Sequence, residues 1–170
     1  MYKLLIKVVL IFVIFLSCVC VGVLISNYYK KRKTLFSDFL SFLEFSSGLI
    51  KHSNEKISVI IDKYNKNERE ISLILYEFKK FIDNKKTKED FLIDLKRIAY
   101  FLKEEEIQLL FCILVELGSF DEYGELNKLE INKKIIDNKV LKSTNESGKF
   151  SPFFIKMGVL LGAFLFVIFV

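Results

Sequence analysis

A chain of 170 residues is long enough for one domain and its anchors and too short for several domains. With 7 Gly and 1 Pro against 52% hydrophobic residues, the composition argues against a fold of short strands and tight turns. The net charge is +5 and falls to about +2 without Lys3, Lys7 and Lys156, with both signs mixed, which excludes a polycation for nucleic acid.

Residues 8–26, VVLIFVIFLSCVCVGVLIS, carry no charge and no Pro. As a helix they would be ~28 Å long, close to the ~30 Å hydrocarbon core of a bilayer. A soluble helix of that length shows a polar face, and this one shows none. Tyr28 and Tyr29 follow, then Lys30, Lys31, Arg32 and Lys33: an interfacial aromatic pair and a basic clamp, as at a cytoplasmic membrane face. The same start can be read as a lipoprotein signal, with Lys3 and Lys7, the apolar run, and Leu16-Ser17-Cys18 placing Cys18 as the lipidated residue. Against that, residues 19–25 stay apolar where a mature lipoprotein turns polar, so an uncleaved anchor is favoured.

From residue 30 to about 51 the pattern predicts a helix, with Leu35, Phe36, Phe39, Leu40, Phe42, Leu43 and Leu49 mostly three or four apart. His52-Ser53-Asn54 predicts a break, and Ser53 or Asn54 a cap for a short helix carrying Ile57, Ile60, Ile61 and Tyr64. Asn65-Lys66-Asn67 reads as a loop. A strong helix over 68–82 lines up Ile71, Ile74, Leu75, Phe78 and Ile82 and ends at Asp83-Asn84-Lys85-Lys86. Thr87-Lys88-Glu89-Asp90 is a capping-box start, with Asp where Glu is commoner, for a helix facing inward through Phe91, Leu92, Leu95, Ile98, Ala99 and Leu102. Lys103-Glu104-Glu105-Glu106 either separates it from the next helix or is a solvated turn within a longer one.

Residues 107–117, IQLLFCILVEL, are too few to span a bilayer, and predict a central buried helix. Gly118 stops it, and Asp121 starts the next as an N-cap. That helix would bury Leu126, Leu129, Ile136 and Val140. Residues 145–149, NESGK, read as weakly helical, and Ser151-Pro152 as the cap and first turn of a second span over 153–170. Lys156 can snorkel to the surface, and Gly158 and Gly162 form a small-xxx-small pair for which Gly22 is a matching partner.

The expected architecture is therefore all-α: an anchor at 1–29, a cytoplasmic helical domain at 30–152 and a C-terminal transmembrane helix at 153–170. Lys30 to Lys33 outweigh Lys3 and Lys7, so the positive-inside rule puts 27–152 in the cytoplasm and both ends outside. Chemistry is sparse. Cys18, Cys20 and Cys112 read as buried small hydrophobes, and a single His, His52, supplies no usual zinc set. Acid groups such as Glu68/Glu70 and Glu104 to Glu106 read as solvated helix faces. No phosphate loop, dinucleotide fingerprint or serine elbow is present, so neither catalysis, a catalytic residue, a cofactor, a bound metal nor a small-molecule substrate is expected.

The order of anchor, basic clamp, helical domain, Leu-Gly-x-x-Asp hinge and glycine-bearing terminal span resembles the stage III sporulation protein AB family. Its hinge pattern, LG-x-SD-x-x-x-Q, is met by Leu117, Gly118 and Asp121, while Phe120 replaces the Ser and Glu125 the Gln. Its terminal Lys-x-Leu-Gly-x-Leu-x-Gly resembles residues 156–162, KMGVLLG, with one residue fewer before the first Gly. Lys3-Leu4-Leu5, Arg32 and Leu43-Glu44 also fit, whereas the family's Thr-Pro-Leu is absent around residues 52–55. The resemblance implies a likeness to the cytoplasmic domain of the F protein of type II secretion and type IV pilus machines. It also implies a non-enzymatic adaptor in the mother-cell membrane around the forespore. Its expected partners are membrane lipid and other subunits of the stage III sporulation complex, including the ATPase. A two-span scaffold unrelated to sporulation, and a lipoprotein with an external helical domain, are the alternatives.

Overall fold

Between the first apolar run and the Phe-rich stripe the chain has no Pro, and both form one helix, α1 (Tyr2–Ser53). The computed structural model describes residues 2–53, 55–64, 69–117 and 122–169. After α1 come α2 (Ile57–Lys63), α3 (Arg69–Ile82), α4 (Lys88–Ile98), α5 (Glu104–Glu116) and α6 (Glu122–Phe169); no strand occurs among the described residues. The sequence readings at Asn54, residues 65–68 and residues 118–121 fall outside the described residues, as do the side chains of Lys3, Lys7, Glu125 and Leu126. Two compact units result: Met1–Lys33 with Lys142–Val170, and Thr34–Leu141.

The unit Thr34–Leu141 is built on the predicted stripes. Leu35, Phe36, Phe39, Phe42 and Leu43 of α1 are buried, joined by Ile57, Ile60 and Ile61 of α2 and Ile71, Ile74, Leu75 and Phe78 of α3. Phe91 stands fully buried at the centre, its ring 5.8 Å from Phe78, 5.5 Å from Phe81 and 5.8 Å from Phe111. Tyr64 closes one side: its ring meets Phe42 edge-on at 5.2 Å and its hydroxyl donates to the Asp38 carbonyl at 3.0 Å. A phenol set partly into a core takes such an acceptor. Leu129 and Ile136 of α6 complete the core.

α3 and α4 form a hairpin whose turn follows from local chemistry. Asn84 takes a positive φ of 56°, its N–H donates to Phe81 O, and that of Lys85 donates to Lys80 O. This is the Schellman pattern, with Asn where Gly is commoner. The Thr87 hydroxyl accepts from Asp90 N at 3.2 Å, and Thr87 N donates to the Asp90 carboxylate at 3.3 Å, so the capping box is formed. Lys86 then ties the two helices, pairing with Glu77 at 2.5 Å and with Asp94. Burial opposes the charge of Glu77, yet donation from Lys86 and Lys80 prevails and holds its carboxyl below the usual range. Asp94 and Glu77 hold the Lys86 ammonium above its ordinary value.

Five local expectations are corrected. α2 takes Lys56 as its N-cap, without a side-chain cap hydrogen bond, and Ser53, the last residue of α1, does not cap it. α4 ends at Ile98, and Leu102 reaches the core from the turn that separates it from α5. α5 is buried along one side only, through Ile107, Leu110, Ile113 and Leu114; Cys112 is exposed, and Cys20 as well. Glu106 is not on a solvated face: it is 2% exposed and accepts from Lys103 N at 3.2 Å, capping its own helix. Finally, residues 145–152 are no break. α6 runs through them with Pro152 inside, although Pro152 has no N–H for the Gly148 carbonyl.

Candidate functional site

The other unit, Met1–Lys33 with Lys142–Val170, explains why α6 does not break. Small residues recur along it at Ser143, Ser147, Ser151, Gly158 and Gly162, all buried. Their spacing keeps one narrow face against α1. The contacts fix the direction: Gly162 meets Phe15, Gly158 meets Cys18 and Gly22, Ser151 meets Ser26, and Glu146 meets Arg32. The two segments are therefore antiparallel.

At the glycines the backbones touch. A Cβ on Gly22 would stand 2.6 Å from Phe154 O, and one on Gly158 2.7 Å from Cys18 O. No side chain fits there without moving a main chain. Gly148, in the same helix, has open space around it, so closeness belongs to particular positions and not to glycine as such.

Toward higher numbers on α1 the seam becomes aromatic, then polar. Tyr29 stacks on Phe154 with centroids 5.9 Å apart and lies 5.4 Å from Phe150. The Ser26 and Ser151 hydroxyls share a hydrogen bond. Arg32, 3% exposed, pairs with Glu146. A buried guanidinium requires such a carboxylate. The basic clamp is thus divided. Arg32 faces inward, Lys30 and Lys33 are exposed, and Lys31 is intermediate. Composition alone treats the four alike. The serine ladder at four-residue spacing was the readable sign that this stretch stays helical and pairs.

An apolar groove of about 430 Å³ runs beside the seam, lined by Ser17, Val21 and Ile25 on α1 and by Phe153, Met157 and Leu161 on α6. Outside it, both helices present large apolar side chains to the surroundings, among them Leu10, Phe12, Leu24, Leu160, Phe164 and Val167. Each helix is long and apolar enough to cross a membrane.

Of the hinge residues, Leu117 is the C-cap of α5, nearly buried, its N–H donating to Ile113 O and Leu114 O at 3.1 Å. Gly118 and Asp121 lie outside the described residues, and the side chain of Glu125, in α6, does too. No cluster of three His, Cys, Asp or Glu suited to a metal occurs among the described residues. The arrangement offers packing, charge pairing and apolar surface. No curated protein and no solved structure gives a significant match to the chain. A family model does, across residues 7–170, and the chain belongs to the family described as stage III sporulation protein AB.

Proposed function

We propose that this sporulation protein is a non-enzymatic membrane adaptor. Its α1 and α6 segments cross the membrane as a hairpin with both ends outside, and residues 27–152 lie in the cytoplasm. In this reading the helical unit meets a cytoplasmic ATPase and other subunits of a secretion-like complex between mother cell and forespore. Leu117, Gly118, Asp121 and Glu125 form the hinge through which the last helix receives that contact. Gly158 and Gly162 hold the membrane helices together, and Lys30, Lys31, Arg32 and Lys33 set the orientation.

The observation that carries the reading is the outward apolar surface of the α1/α6 pair. Leu24, Leu160 and Val167 are 68%, 64% and 76% exposed, a burden that a water-soluble protein does not sustain over two helices. Membership in a sporulation family supplies the process. Affinity purification of the tagged full chain from sporulating cells, after mild detergent extraction, tests the adaptor role. The ATPase and further small membrane proteins should co-purify, and Asp121→Ala should release them while leaving the chain in the membrane. Recovery of the chain without any ATPase, under conditions that keep other membrane complexes intact, removes the adaptor role.

A further inference from the structure

One flank of α6 carries a pattern that its packing on α1 does not use. Lys142, Lys149 and Lys156 are all exposed and stand seven residues apart, so they form one line along the helix. Lys156 lies about 160° around α6 from Gly158, the residue that meets α1. Beside the line runs an apolar stripe at alternating spacings of three and four: Phe150, Phe153, Met157, Leu160, Phe164 and Val167, from 38% exposed at Met157 to 76% at Val167. In heptad terms the stripe holds the a and d positions, and Lys149 and Lys156 hold g, where charge sets the choice of partner. Lipid alone satisfies an apolar stripe, so the stripe by itself selects nothing. The groove gives it depth. Phe153 and Met157 belong to both, and Ser17, Val21 and Ile25 of α1 form the opposite wall over about 12 Å. A third helix laid there touches α1 and α6 together and turns its flank to the lysines.

Charge selects that helix. From Lys142 to Lys156 the line is about 21 Å long. The headgroup layer outside the hydrocarbon core is only ~5–8 Å deep on each side, so lipid phosphates cannot follow the line. Acidic side chains seven apart on a helix can, because they keep to one side over the same distance. A second copy does not supply them. The sequence of this unit has one acid, Glu146, and that carboxylate pairs with Arg32. Neither Lys149 nor Lys156 has an ion-pair or hydrogen-bond partner among the described residues. Lys156 stands one turn inside the apolar run, where ionisable groups pair with one another or face water.

We infer that the groove seats a transmembrane helix of a different membrane protein, one whose acidic side chains, seven apart, meet Lys149 and Lys156. This deepens the adaptor reading and rests on the membrane hairpin. The test uses the full chain with Cys18, Cys20 and Cys112 replaced by Ala and a new Cys at Met157, in phosphatidylcholine vesicles. The probe is a synthetic Leu/Ala spanning helix with two Glu seven apart near one end and a single Cys one position from the inner Glu. Oxidation should cross-link it to Met157→Cys about tenfold more than the same helix with Gln for Glu, roughly threefold per ion pair. Val159→Cys, about 160° around α6 from Met157, should cross-link to neither. Lys149→Gln with Lys156→Gln should bring the two probes within about twofold of each other, whereas Lys30→Gln with Lys33→Gln should leave the difference intact. Val21→Phe fills the groove without altering charge and should lower the yield of both probes. Equal yields for the Glu and Gln helices, equal yields at Met157→Cys and Val159→Cys, or a chain-to-chain cross-link that the probe does not displace would each overturn the site. Loss of the Glu preference when phosphatidylglycerol replaces half of the phosphatidylcholine would assign the lysines to lipid and overturn it too. Extraction of membranes with alkaline carbonate separates the two levels. A chain that washes off refutes the hairpin and the docking site together, and a chain that stays but does not discriminate the probes refutes the docking site alone.

Discussion

Single residues decide the seam between α1 and α6, and glycine there is a matter of distance. Gly158→Ala would place a methyl 2.7 Å from Cys18 O, so a main chain must move. Overpacking of this kind costs about 1–3 kcal/mol. Gly148→Ala meets nothing within 4 Å, and the better helix propensity of Ala should stabilise by about 1 kcal/mol. Thermal unfolding in detergent should therefore fall for the first variant and rise for the second; a shift in the same direction for both would show that the seam is not close-packed. Glu146→Gln should lower stability by roughly 1.5–3 kcal/mol by removing the carboxylate from the buried Arg32. The GVLLG spacing was legible in the sequence. The Arg32–Glu146 pair was not, because sequence spacing does not say which member of a four-residue basic run turns inward.

Among the elements, those set by local chemistry were the legible ones. Thr87-Lys88-Glu89-Asp90 contains its own donors and acceptors, so the start of α4 could be read without knowing any neighbour. Residues 145–152 could not be read that way. Ser, Gly and Pro there have poor helix propensity, and pairing with α1 overrides it. The one-sided burial of α5 was hidden for a related reason: an apolar run shows that a helix packs, not on how many sides. The α3/α4 hairpin carries a pH signature. Glu77 is depressed, so its contribution is present above about pH 4.5, its unfolded value, and is lost as pH falls through the lower folded value. Lys86 is raised, so its contribution is present below about 10.5 and is lost as pH rises through the higher folded value. The midpoint of thermal unfolding should decline at both ends of the range, and Lys86→Met should flatten the alkaline decline. An unchanged alkaline limb in that variant would assign the decline to other groups.

For the whole molecule, orientation in the membrane follows from where the cations stand along the chain. The positive-inside rule counts Lys and Arg near the ends of a span and gives acids little weight, so the Arg32–Glu146 pair does not cancel the contribution of Arg32. Lys30, Lys31, Arg32 and Lys33 after the first apolar run oppose Lys3 and Lys7 before it. Replacing Lys30, Lys31 and Lys33 by Asn leaves one cation in the clamp against two ahead of the span, and should yield a mixed or inverted population. Cys112 reports the outcome, because it is exposed on α5 in the unit Thr34–Leu141. With Cys18 and Cys20 replaced by Ser, a membrane-impermeant maleimide should label Cys112 in inside-out vesicles and not in intact cells. In the triple Asn variant, labelling should begin in intact cells. Labelling of the otherwise unaltered chain from outside would reverse the topology and with it the cytoplasmic adaptor, since a helical unit on the outer side has no ATPase within reach.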